Sequence, residues 1–181
     1  TDGTNPQDFC SFIVTSITFV PSGVWNAADC DGDGVTNGNE LTDGTDIHNP
    51  CSFNLTSRTL TPGGSWNAED CDQDGVINGT EVSDGTDPLD PCSFVAASIT
   101  LTPSLIWLNA DCDGDGVTNG TEITDGTDPD NPCDLIVANI TLTPGGAWNT
   151  VDCDGDGVVN GTEVTDGTNP NNPCNYLIAS V

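Results

Sequence analysis

Apolar residues recur along the chain in blocks that are separated by acidic, glycine-rich stretches. Within the blocks, at 17–20, 99–102 and 140–143, apolar residues alternate with threonine, which is the period of a half-buried strand. A proline ends each alternating run, and a turn containing Gly or Ser then precedes a tryptophan. We therefore predict a short β-segment or loose hairpin in every block, with one aromatic anchor. The anchors are Trp25, Trp66, Trp107 and Trp148, and their predicted packing partners are Phe12, Phe53, Phe94 and Leu135.

The blocks repeat with a fixed period of 41 residues. The nine cysteines follow one another at alternating intervals of 20 and 21 residues, and the tryptophans are 41 residues apart. A fixed period of this size is typical of a tandem array. The chain opens and closes inside a unit, as expected of a window cut from a longer array or of a subunit that joins head to tail with copies of itself. The predicted boundaries are a partial unit at 1–10, repeats at 11–51, 52–92, 93–133 and 134–174, and the start of a further unit at 175–181.

Each acidic stretch matches a twelve-residue calcium loop, D-x-[DN]-x-[DN]-G followed by five residues and Glu. Side chains at loop positions 1, 3 and 5 converge on one cation, and Gly at position 6 permits the sharp turn. Position 7 supplies a carbonyl oxygen, position 9 a further ligand, and the Glu at position 12 closes the site. The candidate ligands are Asp29, Asp31, Asp33, Val35, Asn37 and Glu40; Asp70, Asp72, Asp74, Val76, Asn78 and Glu81; Asp111, Asp113, Asp115, Val117, Asn119 and Glu122; and Asp152, Asp154, Asp156, Val158, Asn160 and Glu163.

The charge balance supports a bound cation. The chain has 29 acidic residues and one basic residue, a formal net charge of −28. One arginine cannot displace counterions from nucleic acid, an anionic membrane surface would repel the chain, and no apolar run is long enough to insert into a bilayer. Such a charge is also typical of disorder, but four loops in register favour ordering by metal. Because all ligands are oxygen atoms, calcium is preferred over magnesium and zinc, at one ion or more per repeat.

A second set of acids follows each loop in the run D-G-T-[DN]. Two ions per repeat would neutralise more of the charge, so these residues are candidates for a second metal site. The alternative is that Asp43 and its equivalents end a short helical turn, with Gly44 in the left-handed cap position. The set comprises Asp43, Asp46, Asp84, Asp87, Asp125, Asp128 and Asp166.

The D-x-D-G-D-G-V-x-N-G-x-E run, followed by D-G-T-D-P-x-x-P-C, resembles the bacterial form of the thrombospondin type 3 repeat, whose loops are similar to those of dockerins and EF-hands. The resemblance covers about half of every unit. It implies extracellular, calcium-ordered arrays with little regular secondary structure that act as stalks, spacers or adhesive surface proteins. The apolar segment of roughly twenty residues between successive loops departs from that pattern. This departure suggests a beaded rod, in which each repeat forms a separate packed unit and the β-segments of neighbouring repeats pack together.

The cysteines predict disulfides in an oxidising compartment, because a 41-residue unit scarcely builds a core of its own. Two pairings fit the spacing. One flanks the calcium module and leaves Cys10 unpaired; the other flanks the β-segment, beginning with Cys10–Cys30, and leaves Cys174 unpaired. The first is slightly favoured because it closes the loop and its tail into one unit. Its candidates are Cys30, Cys51, Cys71, Cys92, Cys112, Cys133, Cys153 and Cys174.

The residue pattern also bears on glycosylation and on catalysis. Of the N-x-[ST] sequons, those at loop position 9 are discounted because their side chains should face calcium. Asn54 and Asn139, in the apolar segments, remain candidate glycan sites. His48 is the single histidine and is not repeated, and no Ser, Cys or Thr has a recurring base beside it, so an enzyme is not expected.

Together these features predict an elongated repeat protein whose 41-residue units each combine a β-segment with an EF-hand-like calcium loop, stapled by disulfides and with little helix. The expected function is that of an extracellular or cell-surface rod or filament, rigidified by calcium and polymerising head to tail. Its partners would be copies of itself or further repeats of the same chain. The alternative is an adhesin or stalk module that binds surface carbohydrate, mineral or another surface.

Overall fold

The computed structural model describes residues 3–5 and 7–180, which fall into two compact units. One unit comprises Thr1–Cys71 and Ile77–Thr80, and the other comprises Asp72–Val76 and Glu81–Val181. The division falls inside the second acidic loop, and the repeat boundaries given above stay a prediction. No helix in the described part of the chain is long and apolar enough to cross a membrane.

Short helices are the regular secondary structure of the described residues. Several 3-10 turns accompany the α-helices. The α-helices are α1 (Gly23–Asn26), α2 (Asn37–Asp43), α3 (Gly64–Asn67), α4 (Asn78–Asp84), α5 (Leu105–Leu108), α6 (Asn119–Asp125) and α7 (Asn160–Asp166). The 3-10 turns are Val14–Ser16, Leu55–Ser57, Ala96–Ser98, Val137–Asn139, Trp148–Thr150 and Ile178–Ser180.

The helices follow two local patterns. Those that end an acidic loop begin after a capping residue; in α2, the Thr36 side chain accepts a hydrogen bond from the Asn39 N–H. They end where a glycine adopts a left-handed conformation, as Gly44 does with φ 79°. The other helices carry the tryptophan. In α5, Ser104 is the cap and accepts a hydrogen bond from the Trp107 N–H.

The predicted β-segments are wrong, because no strand forms among residues 3–5 and 7–180. At 99–102, the N–H groups of two successive residues, Thr100 and Leu101, both donate to the one carbonyl of Gly75. A strand would instead alternate its hydrogen bonds along a partner strand. Pro103 follows at once and cannot donate. The array is therefore built from short helices, turns and extended segments whose N–H groups donate to two carbonyls of the preceding loop.

The core consists of separate small clusters. Val35, Phe53 and Trp66 form one, Val76, Phe94 and Trp107 form a second, and Val117, Leu135 and Trp148 form a third. The predicted partners of the tryptophans are thus confirmed, with the Phe12–Trp25 ring contact at 5.2 Å completing the set. The valine of each cluster comes from the preceding acidic loop. Loop and following segment therefore share one core, a relationship that the sequence pattern did not predict.

The disulfides link Cys10–Cys30, Cys51–Cys71, Cys92–Cys112 and Cys133–Cys153, and Cys174 is free and exposed. The pairing that flanks the apolar segment is therefore present, and the slightly favoured pairing across the calcium module is wrong. The tryptophan explains this choice. The Trp66 indole N–H donates to the carbonyl of Pro50, the neighbour of Cys51, at 2.9 Å. The Trp66 carbonyl accepts from the Asn78 side chain, and Asn78 Oδ1 in turn accepts from the Cys71 N–H. The tryptophan is therefore bonded towards both cysteines of the pair.

Candidate metal centres

Three aspartates of the first, third and fourth acidic loops converge, as predicted from their spacing. One carboxylate oxygen from each of Asp29, Asp31 and Asp33 lies within 4.8 Å of the other two. The same holds for the triads of the third and fourth loops. The second loop has residues in both compact units, and it matches the twelve-residue calcium loop in its sequence. The arrangement places hard oxygen ligands around one point, which suits a divalent cation such as calcium. The equivalent triads are Asp111, Asp113 and Asp115, and Asp152, Asp154 and Asp156.

The first aspartate of the first, third and fourth loops also shapes the backbone around the triad. Its two carboxylate oxygens accept hydrogen bonds from two glycine N–H groups. In the first loop, Asp29 Oδ1 accepts from Gly32 at 2.7 Å and Asp29 Oδ2 accepts from Gly34 at 3.0 Å. Gly34 has φ 92°, and a side chain there would meet the following segment. The loop geometry is therefore set by protein groups, while oxygens of the third and fifth positions remain available.

Several carboxylate oxygens of the loops are buried and make no hydrogen bond to any described residue. Both oxygens of Glu40 and both of Glu122 are of this kind, although these side chains are 0% exposed. Oδ2 of Asp31 and of Asp33 shares this property. Burying a carboxylate without a partner costs several kcal/mol, and a bound cation removes this penalty. The donor set therefore fits calcium, with the Glu at position 12 as the closing ligand.

The electrostatics of the loops also favour a cation. Burial raises the pKa of Glu40 to about 8, and the nearby charges of Asp31, Asp33 and Asp29 add to this effect. Burial is also the largest cause for Asp31, whose pKa rises to about 7, and for Asp33, whose pKa rises to about 6. The third loop has the same pattern, with the pKa of Glu122 raised to about 8. The raised pKa values mean that protein groups do not fully compensate the charges of these carboxylates, and calcium supplies the missing positive charge.

The asparagine at loop position 9 has a structural role that sequence reasoning missed. Asn119 is 0% exposed; its Oδ1 accepts from the Cys112 N–H at 3.0 Å, and its Nδ2 donates to the Trp107 carbonyl at 3.1 Å. The equivalent bonds are made in the other loops. This residue therefore fastens the tryptophan to the disulfide, and its role as a ligand stays a prediction. The signal that could have revealed it is the strict Asn at position 9, because an amide both donates and accepts.

Most members of the second set of acids have protein partners. Asp43 ends α2 and is followed by the left-handed Gly44, as the helical alternative predicted. Asp125 Oδ2 accepts from Asn139 Nδ2 at 2.5 Å, while Asp84 and Asp166 accept from serine hydroxyls fourteen residues further on. The other members begin tight turns; Asp46 Oδ1, for example, accepts from the His48 N–H. A second metal site at these residues stays a prediction.

Arg58 lies behind the first loop, at a position where the other units have isoleucine. Its guanidinium carbon lies 4.1 Å from the Trp66 ring centroid and 4.8 Å from that of Phe53. The charge of Arg58 lowers the pKa of Asp33, although burial has the larger and opposite effect. The arginine therefore places a fixed positive charge next to one of the candidate calcium ligands.

The candidate glycan sites differ in accessibility. Asn54 is exposed, and its Oδ1 accepts from the Thr56 N–H. Asn139 is half-buried, and its amide is engaged with Asp125. The discounted sequons at loop position 9 are wholly buried, which excludes a sugar there in the folded chain. These are Asn78, Asn119 and Asn160.

A tandem array of acidic loops with converging aspartates, a buried closing glutamate and disulfide-linked segments defines a calcium-binding structural repeat protein. Family comparison agrees: the chain carries four copies of the Bacterial TSP3 repeat, 41 residues apart, at residues 29–46, 70–91, 111–132 and 152–173. Neither the curated proteins nor the solved structures contain a match to the chain. The TSP3 repeat is a structural calcium-binding repeat and not an enzyme family, and the loops described above are its matched segments.

Proposed function

We propose that this protein is an extracellular structural array that calcium orders and stiffens into a rod or filament. The observation that carries the proposal is the buried glutamate at loop position 12. Both oxygens of Glu40 and of Glu122 are buried without a hydrogen bond to the described residues, next to a triad of aspartates. Without metal, these groups repel one another and destabilise the loop; with calcium, they become its ligands.

The coupling between loop and segment supports a mechanical role. The carbonyl of Gly34 lies in the loop between Asp33 and Val35 and accepts hydrogen bonds from the N–H groups of Thr59 and Leu60. Val35 also packs against the following Phe53 and Trp66. Calcium that fixes the loop therefore fixes the surface on which the next segment packs. Repeated along the chain, this coupling would convert metal binding into stiffness.

An extracellular location is consistent with the disulfides and the metal. Four disulfides persist in oxidising compartments, and each links residues 20 positions apart across one apolar segment. Calcium sites of extracellular modules are typically weak, with dissociation constants of about 10⁻⁴ to 10⁻³ M, so they fill only where calcium is abundant. Both features favour the outside of the cell.

Thermal unfolding with and without EGTA tests the proposed function. We expect calcium to raise the melting temperature of the wild-type chain, by a stabilisation of about 2.7 kcal/mol per site at a hundredfold excess over the dissociation constant. Glu122→Gln should lose part of this gain. Glu69→Gln removes the same charge from an exposed residue outside the ligand pattern and serves as the matched control. A wild-type melting curve that does not respond to calcium would refute the proposal.

A further inference from the structure

The residue behind the calcium loop differs between the first loop and the third. Arg58, the single Lys or Arg of the chain, occupies the repeat position at which Ile140 lies. Both side chains approach the glycine at loop position 6. A Cβ on Gly34 would lie 3.0 Å from Arg58 Cγ, and a Cβ on Gly116 would lie 2.9 Å from Ile140 Cγ2. A charged side chain therefore makes in the first loop the contact that a hydrocarbon makes in the third.

Two aromatic rings hold the Arg58 guanidinium in place. Its central carbon lies 4.1 Å from the Trp66 ring centroid and 4.8 Å from that of Phe53. Both rings belong to the buried cluster that also contains Val35, at loop position 7. The Nε and Nη2 atoms of Arg58 are themselves buried, so water screens their charge less than that of a surface arginine. Because a guanidinium stays protonated in proteins, this charge is a permanent part of the core behind the first loop.

The charge of Arg58 acts on a candidate calcium ligand. It lowers the pKa of Asp33, at loop position 5, although burial has the larger and opposite effect. Burial also raises the pKa of Asp115, the equivalent ligand of the third loop, but no cation acts on it among the described residues. A charge that favours the ionised carboxylate also repels the cation that this carboxylate would bind. Protons are repelled as well, but calcium carries twice their charge, so its binding is weakened more.

We propose that Arg58 lowers the calcium affinity of the first loop below that of the third, so that the two loops fill at different calcium concentrations. In the calcium-free chain, the same charge offsets part of the repulsion among Asp29, Asp31 and Asp33. The first loop therefore fills later as calcium rises, and it depends less on the metal for its order. The inference rests on the proposed function, and it makes the proposed stiffening of the array a graded response to calcium rather than a single step.

Calcium titration of the metal-stripped whole chain by isothermal titration calorimetry tests this role. Arg58→Met removes the charge and keeps a long, flexible, apolar side chain. We expect it to raise the calcium affinity of the first loop at least about threefold, whereas Arg58→Lys, which keeps a positive charge, should stay closer to the wild type. Two backgrounds assign the change to a loop. The gain should persist in Glu122→Gln, which disables the third loop, and vanish in Glu40→Gln, which disables the first.

Transfer of the charge to the third loop separates electrostatics from packing. Ile140 packs against the cluster of Val117, Leu135 and Trp148, so an arginine at this position has an aromatic ring on which to lie. Ile140→Arg should weaken calcium binding at the third loop at least about threefold. Ile140→Met alters the packing without adding a charge and is the matched control, with an affinity near that of the wild type. Urea unfolding in EGTA establishes that both variants fold, and the Arg58→Met comparison carries the test if Ile140→Arg does not.

Three results would overturn the inference. Equal calcium affinities in Arg58→Met and the wild type would show that the charge does not reach the ion. A gain that persists in Glu40→Gln would show that Arg58 acts on another loop, and equal losses in Ile140→Arg and Ile140→Met would assign the effect to packing. In each case calcium still binds and raises the melting temperature, so the proposed function stands. A wild-type chain that binds no calcium would instead refute the proposed function, and the inference with it.

Discussion

Leu60 donates its backbone N–H to the carbonyl oxygen of Gly34 at 2.9 Å, which joins an acidic loop to the apolar segment of the next repeat. Leu101 and Leu142 make the same bond to Gly75 and Gly116, also at 2.9 Å. The packing unit of the array is therefore a loop together with the segment that follows it. Substitutions at this junction should affect stability more than those elsewhere in the loop.

Replacement of the junction glycine tests this packing. A Cβ on Gly116 would lie 2.9 Å from Ile140 Cγ2 and from Pro144 Cγ, and 3.0 Å from the Leu142 carbonyl oxygen. Gly126 also has a positive φ, but a Cβ there meets nothing within 4 Å. Gly126→Ala should cost about 1 kcal/mol through backbone strain alone. Gly116→Ala should cost at least about 2 kcal/mol more, measured by urea unfolding, and equal losses would contradict the proposed junction.

Substitution at loop position 9 separates a structural role from a ligand role. Asn119→Ala removes the hydrogen bonds to the Cys112 N–H and the Trp107 carbonyl from a fully buried site. We expect a loss of about 1–3 kcal/mol in the free energy of unfolding, in calcium and in EGTA alike. The two conditions are compared by chemical denaturation. A loss confined to calcium would show that the residue acts only as a ligand.

Replacement of Arg58 should make the first loop depend more on calcium. Arg58→Ile installs the residue of the other repeats and removes both the ring contacts and the charge that lowers the pKa of Asp33. The calcium-free protein should lose about 0.5–2 kcal/mol of stability, and calcium should then raise the melting temperature by more than in the wild type. Arg58→Lys keeps the charge and is the control. An unchanged calcium response in Arg58→Ile would refute this effect.

The stability of the calcium-free protein should fall as pH rises. Burial raises the pKa of Asp33, Asp31 and Glu40 to about 6, 7 and 8, whereas carboxyls of an unfolded chain titrate near 4. The folded state therefore binds these protons more tightly, so their contribution is complete below about pH 4 and is lost as pH rises towards 8. Calorimetry of protein dialysed free of calcium should show a melting temperature that decreases over this interval. Saturating calcium should reverse the trend, because protons compete for the ligands; a calcium-free melting temperature that rises with pH would contradict the account.

The period, the loops and the packing partners of the tryptophans were predictable because local spacing determines them. Asp29, Asp31 and Asp33 are close neighbours in sequence, so the convergence of their carboxylates depends on the local backbone and not on contacts with distant residues. The helix end at Gly44 is also a local signal. The absence of strands from residues 3–5 and 7–180 was not predictable in this way. The alternation at 99–102 fits a strand as well as it fits the observed extended segment. Only the hydrogen bonds distinguish them, because the N–H groups of Thr100 and Leu101 donate to the same Gly75 carbonyl and form no ladder.

The disulfide pairing depended on contacts that spacing does not encode. Intervals of 20 and 21 residues close loops at nearly the same entropic cost, so loop length favours neither scheme. The deciding contact is the bond from the Trp107 indole to the Pro91 carbonyl, which brings Cys92 towards Cys112. The same bond spans sixteen residues at every tryptophan, so it belongs to the repeat rather than to one unit.

Direct calcium binding tests the central claim most sharply. Native mass spectrometry of the metal-stripped chain, titrated with calcium, counts the ions that each molecule holds. The account predicts at least one ion for each of the four loops, one ion fewer in Glu122→Gln, and no change in Glu69→Gln. A wild-type chain that holds no calcium, or a Glu122→Gln chain that binds as many ions as the wild type, would contradict it.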